Sequence, residues 1–452
     1  MKSIIEISIM EIQEMFNRKQ ISVKELVKEY LRRIDENDKV GDKLNSILEI
    51  NPDVLDIAEE LDKNHGNYNS KLYGIPILLK DNIDTADGLH TSAGSLALST
   101  SFASNDAEIV KTLRSKGVVI LGKTNMTEFA NHMTKGMKAG YSSRGGLVRS
   151  PYCKDKNPSG SSTGSAVAVS ANFCAASFGT DTSGSIITPA IKNGIVGFRP
   201  STGSLSQKGV IPISFTLDTL GPMTRTVMDS ITIFSELTNT IIETDKIKMN
   251  GTRIGIDQSA YKNMTNEEEK MASAILNTLN QSGALLEEIK LPQVPNDNLK
   301  KIQLYEFKYS LNHYLSNQPA DSSIRSLKDI IKYNNVYPEE TLRYGQTLLL
   351  EAQEKTRGNL SEIHYKKILK HREKNIKTMN QLLSQFDLCI MFKSDLIFQY
   401  VGLPIITIPC GLYHDGMPFG ICVTSVDNSK LLQFAHRMEQ IVGYRVTPNV
   451  NS

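Results

Sequence analysis

Three short stretches of this 452-residue chain hold residue types that can make and break covalent bonds. Lys80 follows the apolar run Ile77-Leu78-Leu79, so a strand here would draw its amine toward low-polarity surroundings. Desolvation disfavours the ammonium form, lowers the pKa and leaves a free amine able to act as a base. A strand-end lysine reaching solvent is the ordinary alternative. Ser161 and Ser162 lie between Gly160 and Gly164. Glycine tolerates torsions that strain other residues, so this loop can approach a substrate closely, although the same composition also suits a linker. The third stretch, TDTSGSI from Thr180 to Ile186, presents consecutive backbone N–H groups, any two of which can converge on an anion if the loop is tight.

Other chemistries find less support. The third stretch lacks the Walker spacing and has no lysine following a glycine, so it does not fit a nucleotide site. His90 and His132 are candidates to line a site or to fill ordinary structural positions. His364 and His371, with the basic residues from Lys370 to Lys377, read as a solvated helix face, and no histidine pair has metal-ligand spacing. Without a well-placed histidine, serine chemistry needs another base, and lysine is the recognised substitute.

The elements that must position these residues are visible as changes of period. Ser22 and Glu25 form a capping-box pattern ahead of Val23, Leu26, Val27, Tyr30, Leu31 and Ile34 at helical spacing, and a second helix follows Pro52. GIPILLKDNID reads as a buried strand, Asp106 to Arg114 as a helix, GVVIL from Gly117 as a strand, and Thr127 as the start of another helix. The run from Gly164 to Ala171 is rich in Gly, Ser and Ala, which suits a closely packed helix; Cys174 to Gly179 reads as a short strand after it. This alternation favours an α/β layer arrangement. Later, residues 253–256 and 285–291 read as strands around a helix at 267–279, residues 294–385 as mainly helical, and 405–409 and 419–423 as core strands.

Composition bounds what remains. Lys+Arg 51 against Asp+Glu 49 gives a formal charge of +2, so no global field recruits nucleic acid or an anionic bilayer. Five cysteines with no CxxC pair point to a reducing compartment. Glu6, Glu11 and Glu14 interrupt the N-terminal apolar residues, and the charge-free run from Asn157 to Thr180 is too rich in Ser, Gly and Thr for a membrane span. The expectation is a cytoplasmic, soluble protein.

Taken in order, PILLKDN, SGSSTGSA, TDTSGSI and DTLGPMTRTV closely resemble the amidase signature family, most nearly its peptide-amidase-like branch. The resemblance begins at the N-terminal helix and is strongest from Ser142 to Asp229. It fades between about 235 and 385 and returns at VGLPIITIPCGLYHDGMPFG. It implies an α/β fold with a mixed central β-sheet flanked by helices on both sides, in a single domain over 1–452. Within that domain, residues 1–70 would form N-terminal helices, 71–230 the signature core, 235–385 a mainly helical peripheral insertion, and 386–452 a return to the sheet.

The resemblance also implies a Ser-cisSer-Lys triad with Lys80 as base, Ser161 as relay and Ser185 as nucleophile. Backbone N–H groups of Thr182, Ser183, Gly184 and Ser185 would meet the oxyanion, and Asp181, Gly160 and Ser162 would support the substrate loop. No cofactor and no metal are implied. Many relatives have Gly-Gly at both corners where this chain has Thr163 and Ser183, and Ile187 stands where an Arg is frequent. Thr163 suits the peptide-amidase-like branch, whereas Ser183 would narrow the acyl pocket. The expected substrate is a small amide or C-terminal peptide amide, with no nucleic acid or membrane as direct partner and a monomer or homodimer as the assembly. The alternatives are a glutaminase subunit of a tRNA-dependent amidotransferase and an inactive scaffold. Leu304, Tyr305, Phe307 and Tyr309 are candidates for an apolar entrance as well as for ordinary helix packing.

Overall fold

The apolar runs between glycine and proline turns become strands of one large sheet in the computed structural model, which describes residues 4–64, 69–258, 264–294, 296–319 and 322–450. In chain order the strands are β1 (Ile47–Ile50), β2 (Pro76–Lys80), β3 (Val119–Thr124), β4 (Tyr141–Ser142), β5 (Gly146–Leu147), β6 (Ala176–Asp181) and β7 (Val196–Arg199). There follow β8 (Thr219–Thr224), β9 (Arg253–Asp257), β10 (Leu285–Ile289), β11 (Leu388–Met391), β12 (Ile405–Leu412) and β13 (Pro418–Thr424). Strands β4 and β5 make a separate two-stranded hairpin. Among the described residues the other eleven form a mixed sheet in the order β1-β3-β2-β6-β8-β7-β12-β13-β11-β9-β10.

Helices flank this sheet on both sides, and the mixed strand directions follow from the connections. β2 runs parallel to β3 and β6 because helices carry the chain back between them, whereas β6, β8 and β7 alternate in direction. The carboxyl ends of β2 and β6 therefore share an edge with the start of β8, where Asp181 pairs with Thr219.

Local signals account for many of the elements. Ser22 accepts from the Glu25 N–H at 3.1 Å while Glu25 accepts from the Ser22 N–H at 2.8 Å, which closes the expected capping box of helix Val23–Ile34. A second capping box, Ser8 with Glu11, starts helix Ile9–Asn17 and escaped the sequence reading. Helix Thr163–Ser170 is buried on every side. Its small residues are required because a Cβ at Gly164 would lie 2.3 Å from the carbonyl oxygens of Ser46 and Asn125.

The helix expected from Thr127 does not form. Residues Glu128–Asn131 make one short turn in which Phe129 and Ala130 take left-handed torsions, φ 46° and 50°. Long-range bonds override helical propensity here: the Thr127 N–H donates to Ser161 O, the Phe129 N–H to Ala93 O, and the Thr127 hydroxyl accepts from the Gly140 N–H at 2.8 Å. The strand expected at Cys174–Gly179 begins later and extends to Asp181, which places Thr180 and Asp181 in the sheet. Within 235–385, β9 and β10 continue the sheet to its edge before the helices Asn296–Ser316, Leu327–Val336, Pro338–Thr341, Thr347–Lys355 and Ile363–Leu383. Among the described residues no helix is long and apolar enough to cross a membrane.

Candidate active site

Lys80 is the last residue of β2 and is fully buried. Its Nζ donates to Ser161 Oγ at 2.8 Å, to Thr180 Oγ1 at 2.8 Å and to Thr180 O at 3.3 Å. Burial pushes its pKa down to about 7; the carboxylates of Asp181 and Asp218 pull the other way without cancelling that effect. Neither carboxylate is an ion-pair partner of this amine, whose neighbours are neutral oxygens. A free amine is therefore accessible near neutrality.

Ser161 stands just ahead of helix Thr163–Ser170, and the Gly160–Ser161 peptide is cis. Ser162 points elsewhere. Its Oγ donates to Thr180 O at 3.1 Å and accepts from the Thr180 N–H at 3.2 Å, which ties the helix start to the end of β6. The Ser162 N–H donates to Ser185 O at 3.1 Å, so the two Gly/Ser corners of the sequence meet through backbone. Thr163 closes the first corner by donating to Ser159 O at 2.8 Å.

The second corner is shaped by Asp181. Its carboxylate accepts the Gly184 N–H at 2.9 Å and the Ile186 N–H at 2.7 Å, and it pairs with the fully buried Arg199 at 3.2 Å. The Gly184 N–H, one of the four expected oxyanion donors, is thus directed at Asp181. Gly184 supplies the turn, since its φ of +102° is open to glycine and strained for other residues. Thr182 Oγ1 donates to Asp218 Oδ1 at 2.6 Å, and the other Asp218 oxygen accepts from the N–H groups of Ile213 and Ser214. Ile187 is fully buried in the core.

Ser185 is 8% exposed and opens onto a cleft of about 770 Å³. Its Oγ takes part in no hydrogen bond among the described residues, which leaves it free to turn toward an incoming carbonyl. Gly160 and Ser183 also line the cleft, and Ser183 Oγ accepts from Gln303 Nε2 at 3.3 Å. The side chain at this corner is thus fastened to helix Asn296–Ser316 and narrows the space beside Ser185. Of the four candidate entrance residues, Leu304 lines this cleft. Phe307 is buried against His132 and Phe129, Tyr305 packs on Tyr365, and Tyr309 faces a different cavity.

His132 lines the cleft, and burial lowers its pKa to about 4, so the ring is neutral. His90 lies elsewhere, 2.8 Å from Glu49. Both His364 and His371 are exposed. Among the described residues no group of three His, Cys, Asp or Glu side chains could hold a metal ion.

Four site residues escaped the sequence reading: Thr180, Asn82, Arg199 and Asp218. Asn82 Nδ2 donates to Thr180 Oγ1 at 3.1 Å and so holds the hydroxyl that receives Lys80. The signals were present in part. Asn82 closes PILLKDN, Thr180 opens TDTSGSI and Asp218 opens DTLGPMTRTV. Arg199 ends the apolar run of β7 as Lys80 ends that of β2, the same pattern of a charged residue closing a buried strand.

The family model described as Amidase matches residues 25–392. A probable amidase of Arabidopsis thaliana is 35% identical, covering 99% of this chain and 92% of that protein. A glutamyl-tRNA(Gln) amidotransferase subunit of Pediococcus pentosaceus is 30% identical, with 92% of each chain covered. The peptide amidase of Stenotrophomonas maltophilia superposes with a TM-score of 0.90 at 32% identity, covering 99% of each chain. The chain belongs to the amidase family, whose chemistry is the hydrolysis of linear carbon–nitrogen amide bonds.

Proposed function

We propose that the protein is a free-standing hydrolase that releases an amine or ammonia from a small amide or C-terminal peptide amide through a serine acyl-enzyme. The observation that carries this reading is the buried Lys80 amine, 2.8 Å from Ser161 Oγ and with its pKa brought down to about 7. Similarity to the S. maltophilia peptide amidase over nearly the whole chain supports the substrate class.

In this mechanism neutral Lys80 takes the Ser161 hydroxyl proton as Ser161 takes that of Ser185. Ser185 Oγ then bonds to the amide carbon. The carbonyl oxygen becomes an oxyanion facing the free N–H groups of the 182–185 loop, where each donor is worth about 3 to 4 kcal/mol to the transition state. Collapse breaks the C–N bond, and the leaving nitrogen receives the proton that passed to Lys80, returned through Ser161. Water repeats the sequence on the acyl-enzyme and releases the acid, which leaves Ser185 as it began. The Asp181–Arg199 pair and the Asp218–Thr182 bond hold the loop so that its donors need no rearrangement when charge develops.

Activity profiling against small amides, peptide amides and glutamine, with Ser185→Ala as the blank, tests the proposal. Turnover of amides by the isolated chain, lost in the variant together with labelling by a serine-reactive acylating probe, is the expected result. Undiminished turnover by Ser185→Ala would reject it. A second reading, glutaminase subunit of a tRNA-dependent amidotransferase, is favoured by the 30% identity to the P. pentosaceus protein. It predicts silence of the isolated chain and ammonia release from glutamine only in a reconstituted complex.

A further inference from the structure

Segment 212–218 is a partition with a different cavity on each side. Ile213 lines the cleft of Ser185, whereas Pro212, Phe215 and Asp218 line a second cavity of about 790 Å³. The partition is held from behind by Glu306, whose carboxylate accepts from the Ser214 and Thr216 hydroxyls and from the Tyr365 hydroxyl. Nothing in the amide chemistry requires the second cavity.

Its buried carboxylates have no cation in contact. Asp84, 5% exposed, and Asp218, 8% exposed, both line it, and neither has an ion-pair partner within 4.0 Å among the described residues. A buried carboxylate normally has a cation beside it. The lysines of the cavity wall, Lys111 and Lys208, are turned to Glu108, at 3.0 and 3.6 Å, and Asp106 pairs with Arg114 at 3.1 Å. Behind Asp84, the amine of Lys123 donates to Ile83 O and Thr91 Oγ1, and Arg144 is spent on Glu49 and Asp81. Tyr314 donates to Asp84 Oδ1 at 2.6 Å, which orients the carboxylate without neutralising it.

An aromatic pair lines the same cavity. Phe215 and Tyr309 are 51% and 41% exposed, with ring centroids 6.1 Å apart at 68°. Exposed aromatic rings in one cavity with carboxylates that no cation contacts attract a cation with an apolar substituent, through the ring faces and through charge. We propose that this cavity binds a small organic ammonium ion, its charge against Asp84 and its apolar part between Phe215 and Tyr309. The site is separate from the Ser185 cleft, although the two share the partition and Asp218, which holds Thr182.

Calorimetric titration of the full chain with benzylammonium, using Ser185→Ala to remove turnover, tests this. Benzyl alcohol serves as the uncharged analogue. Expected are saturable binding of the ammonium, affinity about tenfold or more weaker for the alcohol and for Asp84→Asn, and about threefold weaker for Phe215→Ala. Leu304→Ala, which alters the Ser185 cleft, leaves the affinity unchanged. The proposal falls if no binding is seen at millimolar ammonium, if the alcohol binds equally, or if affinity follows Leu304→Ala and ignores Phe215→Ala. Phe215 is exposed, so its variant decides the outcome even if Asp84→Asn does not fold.

Discussion

Two fully buried lysines, Lys80 and Lys123, lie near the ends of neighbouring parallel strands and differ in what they touch. The register pairs Lys80 with Thr124 and Leu79 with Lys123, so the two amines leave on opposite faces of the sheet. Lys80 donates to Ser161 Oγ and Thr180 Oγ1, with the charges of Asp181 and Asp218 about it. Lys123 meets Ile83 O at 2.6 Å and Thr91 Oγ1 at 2.9 Å, with the charges of Asp81, Asp84, Asp87 and Glu49 about it. Burial lowers both pKa values, so depth alone does not distinguish a base from a structural cation. The difference lies in what each amine touches: Lys80 donates to Ser161, the relay of the proposed mechanism, and Lys123 donates to Ile83 O and Thr91 Oγ1.

The comparison is most severely tested at the end of the serine chain. Ser185→Ala is expected to reduce kcat by about a millionfold and to abolish burst acylation in active-site titration, with the thermal unfolding profile retained. The next largest effect separates the lysines. Lys80→Met should lower kcat roughly 10²- to 10⁴-fold. Lys123→Met should instead show its main effect as a loss of about 2 kcal/mol in denaturant unfolding, because the buried acceptors Ile83 O and Thr91 Oγ1 lose their donor. Equal kinetic damage from both substitutions would erase the distinction.

The pH dependence sharpens it further. If catalysis needs the neutral amine, kcat/KM for an uncharged amide rises with pH through about 7 and flattens above it. That acid limb should disappear in Lys80→Met and persist in Lys123→Met. Stability has a matching sign. Between about pH 7 and the ordinary lysine value of 10.5, the unfolded chain binds a proton that the folded Lys80 site rejects, so this group makes folding more favourable as pH rises across that window. The smallest effect concerns the loop that faces Lys80. Thr182→Val removes the hydroxyl bound to Asp218 and is expected to lower kcat about tenfold, about 1.4 kcal/mol, with little change in KM.

Legibility varied with the range of the interaction. Helix Val23–Ile34 and strand β2 were readable because a capping box and an apolar run act within a few residues. The turn after Thr127 was misread because contacts with Ala93, Gly140 and Ser161 decide it. Lys80, Ser161 and Ser185 were picked out through the order of their motifs, and the structure brings Lys80 and Ser161 into hydrogen-bond contact while joining Ser185 to the same corner through the Ser162 backbone. Thr180 and Asn82 were passed over because their importance comes from sharing one amine across two strands.

By itself, then, the amino-acid order determined which residues could become reactive and that small side chains must separate the two polar corners. Those properties belong to residue type and local spacing. Only the tertiary structure decided which buried amine would reach Ser161, that Asp181 would accept the Gly184 N–H, and that two carboxylates would line a second cavity with no cation in contact. Each of these depends on strand register and long-range packing, which set the dielectric and the partners of a charge and are not written in any single segment.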